Sequence, residues 1–322
     1  KYGRIAWMQF MRRFPVNIRP LLGIPKGHNP KGLGLFLLGY AKLFDPADSD
    51  KYSGQIERLL ELMSSNRSNC TGNGWGYNFD WQSKAFWVPK GTPTIVNSSF
   101  VGHGLLDYWE KIGDQRALDL AVPIKDFILN DLHRTQDGDS FCFAYTPVDE
   151  LVVHNANLLG ASVLIRIHRL TGDEDARDAA LSSLRWSMRR QREDGSWPFG
   201  ETSFQQWVDS FHTGFNMQAI RCFISDTDFE EFREGYEAGK QYYADNFFLS
   251  DGAPKYYNTS LYPIDIHCPA QALAYFSREG AEYDELTSSI CGWMLANLWN
   301  DKKGLFYFRK GRFVTNKIPY MR

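Results

Sequence analysis

The feature that most constrains this chain is a register that recurs every 54–68 residues. An Asn or Asp is followed five positions later by Gly or Ala and then by an apolar helix. The five occurrences are Asn29-Pro-Lys-Gly-Leu-Gly34, Asn97-Ser-Ser-Phe-Val-Gly102, Asn155-Ala-Asn-Leu-Leu-Gly160, Asp209-Ser-Phe-His-Thr-Gly214 and Asp265-Ile-His-Cys-Pro-Ala270. Self-similarity at such a period marks an array of supersecondary units, each unable to bury its apolar face alone. Apolar residues follow each start at helical spacing, as in Leu158, Leu159, Leu164, Ile165 and Ile167. These are predicted inner helices.

Between them lie amphipathic, more charged segments, predicted as outer helices over Gln55–Met63, Gln115–Leu132, Asp175–Arg190, Phe229–Asn246 and Tyr283–Trp299, with Tyr2–Phe14 opening the series. After each outer helix comes a glycine turn with aromatics: Gly72-Asn-Gly-Trp-Gly-Tyr77, Asp137-Gly-Asp-Ser-Phe-Cys-Phe143, Asp194-Gly-Ser-Trp-Pro-Phe199, Asp251-Gly-Ala-Pro-Lys-Tyr256 and Lys303-Gly-Leu-Phe-Tyr-Phe308. Such runs read as turns into short extended segments. The expected fold is all-α: an (α/α)6 toroid with short aromatic β-like loops, forming one domain over residues 1–322. The sixth unit stops at Arg322, where its inner helix is due. That predicts an incomplete ring or a C-terminal segment beyond the last residue.

The repeated Asn or Asp is the preferred type for a helix N-cap, and the small residue lets neighbouring inner helices approach. Parallel inner helices present their N-termini at one end of a cavity, where free N–H groups and partial positive charge suit anions. Chemistry is then expected in what differs between repeats: Lys31, Ser99, Asn157, His212 and His267. Five of the seven histidines (His28, His103, His154, His212 and His267) lie near inner-helix starts. Asp80, His154, Asp209 and His212 are the candidate catalytic residues. Paired carboxylates suit glycoside hydrolysis, whereas His with Tyr suits proton abstraction beside a sugar carboxylate. Lys31, His103, Asn157, Asp265, His267 and Arg322 are candidate substrate contacts. So are Trp75, Tyr77, Trp81, Trp197 and Trp207, whose rings suit the apolar faces of sugars.

The first 44 residues carry eight Lys and Arg and no acid, a rim that attracts an anionic ligand. Overall, 36 basic and 38 acidic residues give a net charge of −2, which argues against nucleic acid as a partner. No apolar run reaches the length needed to span a bilayer, and Lys1–Arg13 lacks the apolar core of a signal peptide. Five scattered cysteines without a CxxC pair predict a reduced, cytoplasmic protein with no metal and no cofactor.

Gln191-Arg-Glu-Asp-Gly-Ser-Trp197 resembles the QW repeat of terpenoid cyclases and prenyltransferases, which ties an outer helix to the next loop. The aspartate-rich motif of a triterpene cyclase is missing, and Asp137-Gly-Asp139 lies in a turn. Cys268 beside His267 invites comparison with zinc-dependent toroid enzymes, but Cys222 lies too deep in its helix to complete a site. Over most of its length the chain looks like a group of bacterial toroid proteins associated with polysaccharide biosynthesis, within the six-hairpin glycosidase and terpenoid cyclase-like toroids. Residues Arg19-Pro-Leu-Leu-Gly-Ile-Pro-Lys26, Asn29–Gly34, Trp75–Trp81 and Ile318-Pro-Tyr-Met-Arg322 carry that resemblance. It implies a glycan context. The expected function is a carbohydrate-active enzyme that cleaves, eliminates or epimerises an anionic, uronate-type glycan. The alternatives are a terpenoid-cyclase or prenyltransferase-like protein and a non-catalytic glycan-binding module.

Overall fold

The computed structural model describes residues 2–14, 16–48, 50–82, 87–224 and 227–318. Among these, the α-helices are α1 (Tyr2–Arg13), α2 (Pro30–Leu43), α3 (Ser53–Ser65), α4 (Ile95–Ile112), α5 (Gln115–Ala121), α6 (Ile124–Asp131), α7 (His154–Thr171), α8 (Glu174–Met188), α9 (Ser210–Ile224), α10 (Arg233–Phe247), α11 (His267–Phe276) and α12 (Asp284–Leu298). The strands are short: β1 (Trp81–Gln82), β2 (Trp87–Val88), β3 (Arg134–Asp137), β4 (Ser140–Phe143), β5 (Ile264–Asp265), β6 (Trp299–Asn300), β7 (Leu305–Phe306), β8 (Arg309–Lys310) and β9 (Thr315–Asn316). The predicted outer helix over Gln115–Leu132 is two helices, because Pro123 has no N–H to continue the ladder and its ring crowds the preceding turn. The predicted start at Phe229 is a 3-10 segment, Thr227–Phe232, with α10 beginning at Arg233.

The chain forms two compact units, one of residues 26–189 and the other of residues 1–25 with 190–322. In the first, α2, α4 and α7 pack each against the next, and α3, α5 and α8 pack on their partners. A Gly-Asp pair makes two of the inner-to-outer turns. Gly113 and Gly172 end α4 and α7 in the left-handed conformation, and Asp114 and Asp173 then cap α5 and α8. The small residues of the register act in packing. A methyl on Gly34 would strike the Phe100 carbonyl of α4, one on Gly102 would strike the Ile124 side chain, and one on Gly160 would strike Ile95. The caps differ from the sequence expectation. Asn29 caps α2 by accepting Lys31 N–H, but Thr94, not Asn97, caps α4. In α7, Val153 precedes the helix and Asn155 lies inside its first turn.

In the second unit α9 packs on α10 and α11, and α11 on α12, beside a three-stranded sheet ordered β5-β8-β9. Asp209 caps α9, accepting the His212 N–H at 3.0 Å. Asp265 stands one residue before the N-cap of α11, yet its carboxylate still accepts the His267 N–H at 3.1 Å. The Gln191–Trp197 motif does structural work: the Gln191 amide donates to the carbonyls of Gly195 and Gly235, tying the loop to α10. Gly195 (φ +86°) and Gly252 (φ +84°) bring their turns against the backbones of α10 and α12, where a Cβ would collide. An aromatic core of Tyr243, Phe247, Tyr275 and Phe276 fills this unit. Helix α1 buries only Met11 among its described side chains and leaves Trp7 and Phe10 exposed.

The backbone approach at Gly34 sets a clear expectation. Gly34→Ala is expected to cost about 1–3 kcal/mol through steric conflict with α4. Gly32→Ala in the same helix, where a methyl meets open space, should stabilise by up to about 1 kcal/mol. Denaturant midpoints of the two variants would check the contrast.

Candidate active site

The residues that the sequence places at inner-helix starts come together most clearly at α9 and α11. The chain enters α9 from a loop in which Phe199 N–H donates to the Trp207 carbonyl, and Ser210 N–H donates to the Tyr256 carbonyl. This fixes Asp209 at the helix start. Its Oδ1 accepts the His212 backbone N–H. Its Oδ2 lies 2.7 Å from His212 Nδ1 and accepts the Trp207 indole N–H at 3.1 Å. One carboxylate therefore caps the helix and orients an imidazole one turn on.

A second Asp–His pair repeats the device at α11. Asp265 Oδ1 accepts the His267 N–H and lies 3.0 Å from His267 Nδ1. Antiparallel pairing of β5 with β8 sets Arg309 directly opposite Asp265. The guanidinium donates to Asp265 Oδ2 from Nε at 3.1 Å and from Nη2 at 2.7 Å. Burial alone would favour the neutral Asp265 carboxyl. The His267 hydrogen bond and charge, with the Arg309 charge and hydrogen bonds, override that and hold it at about 2.

Phe211 links the pairs, its ring centroid 4.2 Å from that of His212 and 5.5 Å from that of His267. Phe199 stacks on Trp207 at 4.8 Å and reaches His212 at 4.7 Å. Arg309 lies over Tyr256. The Asp209 and Asp265 side chains are 1% and 2% exposed, whereas those of His212 and His267 are 23% and 25% exposed. The carboxylates thus act through the rings. Each carboxylate engages Nδ1 of its imidazole and orients the ring.

Other candidates occupy different surroundings. Asn157 is fully buried and saturated: Oδ1 accepts from Phe143 N–H and Ser183 Oγ, while Nδ2 donates to the Ser183 carbonyl and Ser187 Oγ. It fastens α7 to α8 and β4, and has no capacity left for a ligand. His154 is likewise buried, against Trp186 and 3.4 Å from Ser187 Oγ. His103 uses both ring nitrogens, with Ser162 Oγ at 2.8 Å and Arg166 Nη1 at 3.0 Å. Arg166 also pairs with Asp107 and Glu110, which makes His103 part of an ionic clasp between α4 and α7.

Lys31 places its ammonium over the Phe100 ring at 4.2 Å. Trp75 is core, donating its indole N–H to the Met63 carbonyl. Asp80 is exposed and accepts the Lys90 N–H, which ties the residue before β1 to the chain after β2. Tyr77 and Trp81 cluster with Tyr145, and the Tyr77 and Tyr145 hydroxyls are 3.2 Å apart. Trp197 is buried where a Cβ on Gly239 would touch it. Arg322 lies outside the described residues. Sequence reasoning missed Arg309, Phe199, Phe211 and Tyr256. Only the basic residue after the last aromatic run, read together with strand pairing, signals Arg309.

No group of three or more His, Cys, Asp or Glu side chains among the described residues is arranged to hold a metal ion. Burial, reinforced by Asp265 and Asp209, holds the Cys268 thiol well above its ordinary range. Among the described residues no helix is long and apolar enough to cross a membrane.

No family model matches this sequence, and no curated protein matches it. Solved structures do match. A cellobiose 2-epimerase from Bacillus thermoamylovorans B4167 is 11% identical with a TM-score of 0.69, over 91% of this chain and 82% of that one. A family GH76 α-mannanase from Bacteroides thetaiotaomicron is 13% identical with a TM-score of 0.69, over 93% and 82%. An unsaturated glucuronyl hydrolase from Bacillus sp. GL1 is 13% identical with a TM-score of 0.59, over 88% and 78%. At these identities the likeness carries the fold, which is the all-α, α/α-toroid fold.

The Asp265 cluster has a consequence for acid stability. A carboxyl depressed in the folded state contributes stability that is fully present above the unfolded value near pH 4 and is lost as pH falls toward about 2. The contribution is roughly 2 kcal/mol. Asp265→Asn is expected to be less stable at neutral pH and to lose less further stability between pH 4 and 2. Denaturation across that range measures it.

Proposed function

We propose that this chain is a carbohydrate-active enzyme that removes and returns a proton on a sugar carbon beside a carbonyl or carboxyl group, as epimerisation requires. The observation that carries this reading is the pair of carboxylate-backed imidazoles, His212 with Asp209 and His267 with Asp265, on the same aromatic residue, Phe211. Two orientable imidazoles suit an acid and a base at neutral pH. Hydrolysis by an acid and base carboxylate is less well supported, because Asp209 and Asp265 are buried and committed to their histidines. The same commitment leaves neither aspartate for the acid cluster of a terpenoid cyclase.

Phe199 and Trp207 offer a stacked ring platform beside His212 for a sugar face. The epimerase among the similar structures supports the reaction class. The finer parts of the reading rest on the sequence. A uronate-type glycan follows from the acid-free first 44 residues, and a role in bacterial polysaccharide biosynthesis follows from the segment resemblance. Five free cysteines support a cytoplasmic setting. Both a reducing sugar at C2 and a uronate at C5 present a suitably acidified C–H bond.

Incubation in D2O with reducing disaccharides and with uronate-containing oligosaccharides tests this without prior choice of sugar. Deuterium is expected at a single carbon, read by NMR. His212→Asn and His267→Asn should each slow its entry by roughly 10²–10⁴-fold. Bond cleavage without deuterium incorporation would sink the proton-transfer reading.

A further inference from the structure

The two Asp–His pairs differ in the donor that the carboxylate receives and in the oxygen that receives it. Asp209 receives a neutral indole N–H from Trp207 on the oxygen that faces His212. Asp265 receives a guanidinium, and on the oxygen that does not face His267. Arg309 is placed there by backbone pairing, since β8 brings it opposite Asp265 in the sheet register. Its own ring contacts, Tyr256 and Phe308, hold the guanidinium plane in position.

We infer that Arg309 is a positioning residue that acts through Asp265 to keep His267 a neutral imidazole with its proton on Nδ1, and so makes Nε2 of His267 the proton acceptor of the pair. This rests on the proton-transfer reading above. The physical argument concerns which cation balances a buried carboxylate. Asp265 is nearly inaccessible to water and needs a positive partner. Two candidates touch it: the guanidinium, which is always charged, and the imidazole, which is charged only when protonated. With the guanidinium on Oδ2 the charge is balanced, and Oδ1 needs only a hydrogen bond, which the neutral Nδ1–H supplies. Without it, the imidazolium is the remaining partner, and His267 would hold a proton on both nitrogens and accept none.

The groups that face His267 agree with this arrangement. They include Asp265, backed by Arg309, and, across Phe211, His212 with Asp209; Cys268 is the next residue in the chain. Burial, with Asp265 and Asp209 next, keeps the Cys268 thiol protonated, so it adds no charge. The Asp209 carboxylate faces its own histidine.

Nitrogen-resolved NMR of the histidine rings tests the assignment without turnover. In the native protein at pH 8, His267 is expected to be neutral with its proton on Nδ1; a proton on Nε2, or an imidazolium, would overturn the proposal. In Arg309→Gln the His267 titration midpoint should rise by roughly one pH unit. Arg309→Lys, which keeps the charge, should restore most of the native midpoint. Lys310→Gln, the next residue of β8, should leave it in place. An unmoved midpoint in folded Arg309→Gln would reduce Arg309 to a strand fastener and overturn the proposal. If that variant does not fold, the native tautomer and the Arg309→Lys midpoint decide. In the deuterium assay the acid limb of the pH profile should move upward with the midpoint. A moved midpoint with no exchange on any sugar would overturn the proposed reaction while retaining the hold of Arg309 on His267.

Discussion

An α-helix begins with N–H groups that have no partner in the helix, and the inner helices of this chain meet that constraint in different ways. Asn29 and Thr94 supply one side-chain oxygen each to the first turns of α2 and α4. At α9 and α11 the oxygen comes from a carboxylate, which has a second acceptor face. Asp209 satisfies a backbone N–H with one oxygen and an imidazole with the other. Asp265 does the same work with the oxygens divided differently, giving one to the helix and its histidine and one to Arg309. The group that starts the helix therefore also aims the ring. A helix start is among the most rigid places on which to mount one, because loss of the aim would also expose a buried donor.

The ring-forming repeat was legible because it is written in spacing. Five Asx-to-small intervals at similar separations require recurrent helices, and the close approach at Gly34, Gly102 and Gly160 is the packing that the small residue implies. Helix ends and breaks were less legible. The interruption at Pro123 falls where outer-face amphipathicity continues across it, so periodicity alone does not reveal it.

The Asp209–His212 pair was legible because the register and the true cap coincide at α9. At α9 the cap is Asp209 itself, and counting three residues on reaches His212, whose ring the same carboxylate engages. At α7 the helix begins ahead of Asn155, and at α4 the cap, Thr94, lies three residues before Asn97. Each residue of offset turns a side chain by about 100° around the helix. Asn157 and His154 are consequently buried in the α7–α8 interface, and His103 joins the Arg166 clasp. Arg309 was illegible for another reason: its contact with Asp265 spans 44 residues and arises from strand pairing. A two-residue strand has too short a pattern to announce its partner.

The break at Pro123 has a further meaning. A continuous helix would keep its carbonyls directed along its own axis. Here the Pro123 carbonyl accepts the Asn73 N–H, and the Leu120 carbonyl accepts the Asn73 side-chain amide. Gly72, in the left-handed conformation, brings the loop close enough for both. The interrupted helix thus serves as a mooring for the loop that carries Trp75. A gap in regular structure supplies the place where irregular structure is held still. Sequence change at the break would be felt first in the order of that loop and only later in the helices.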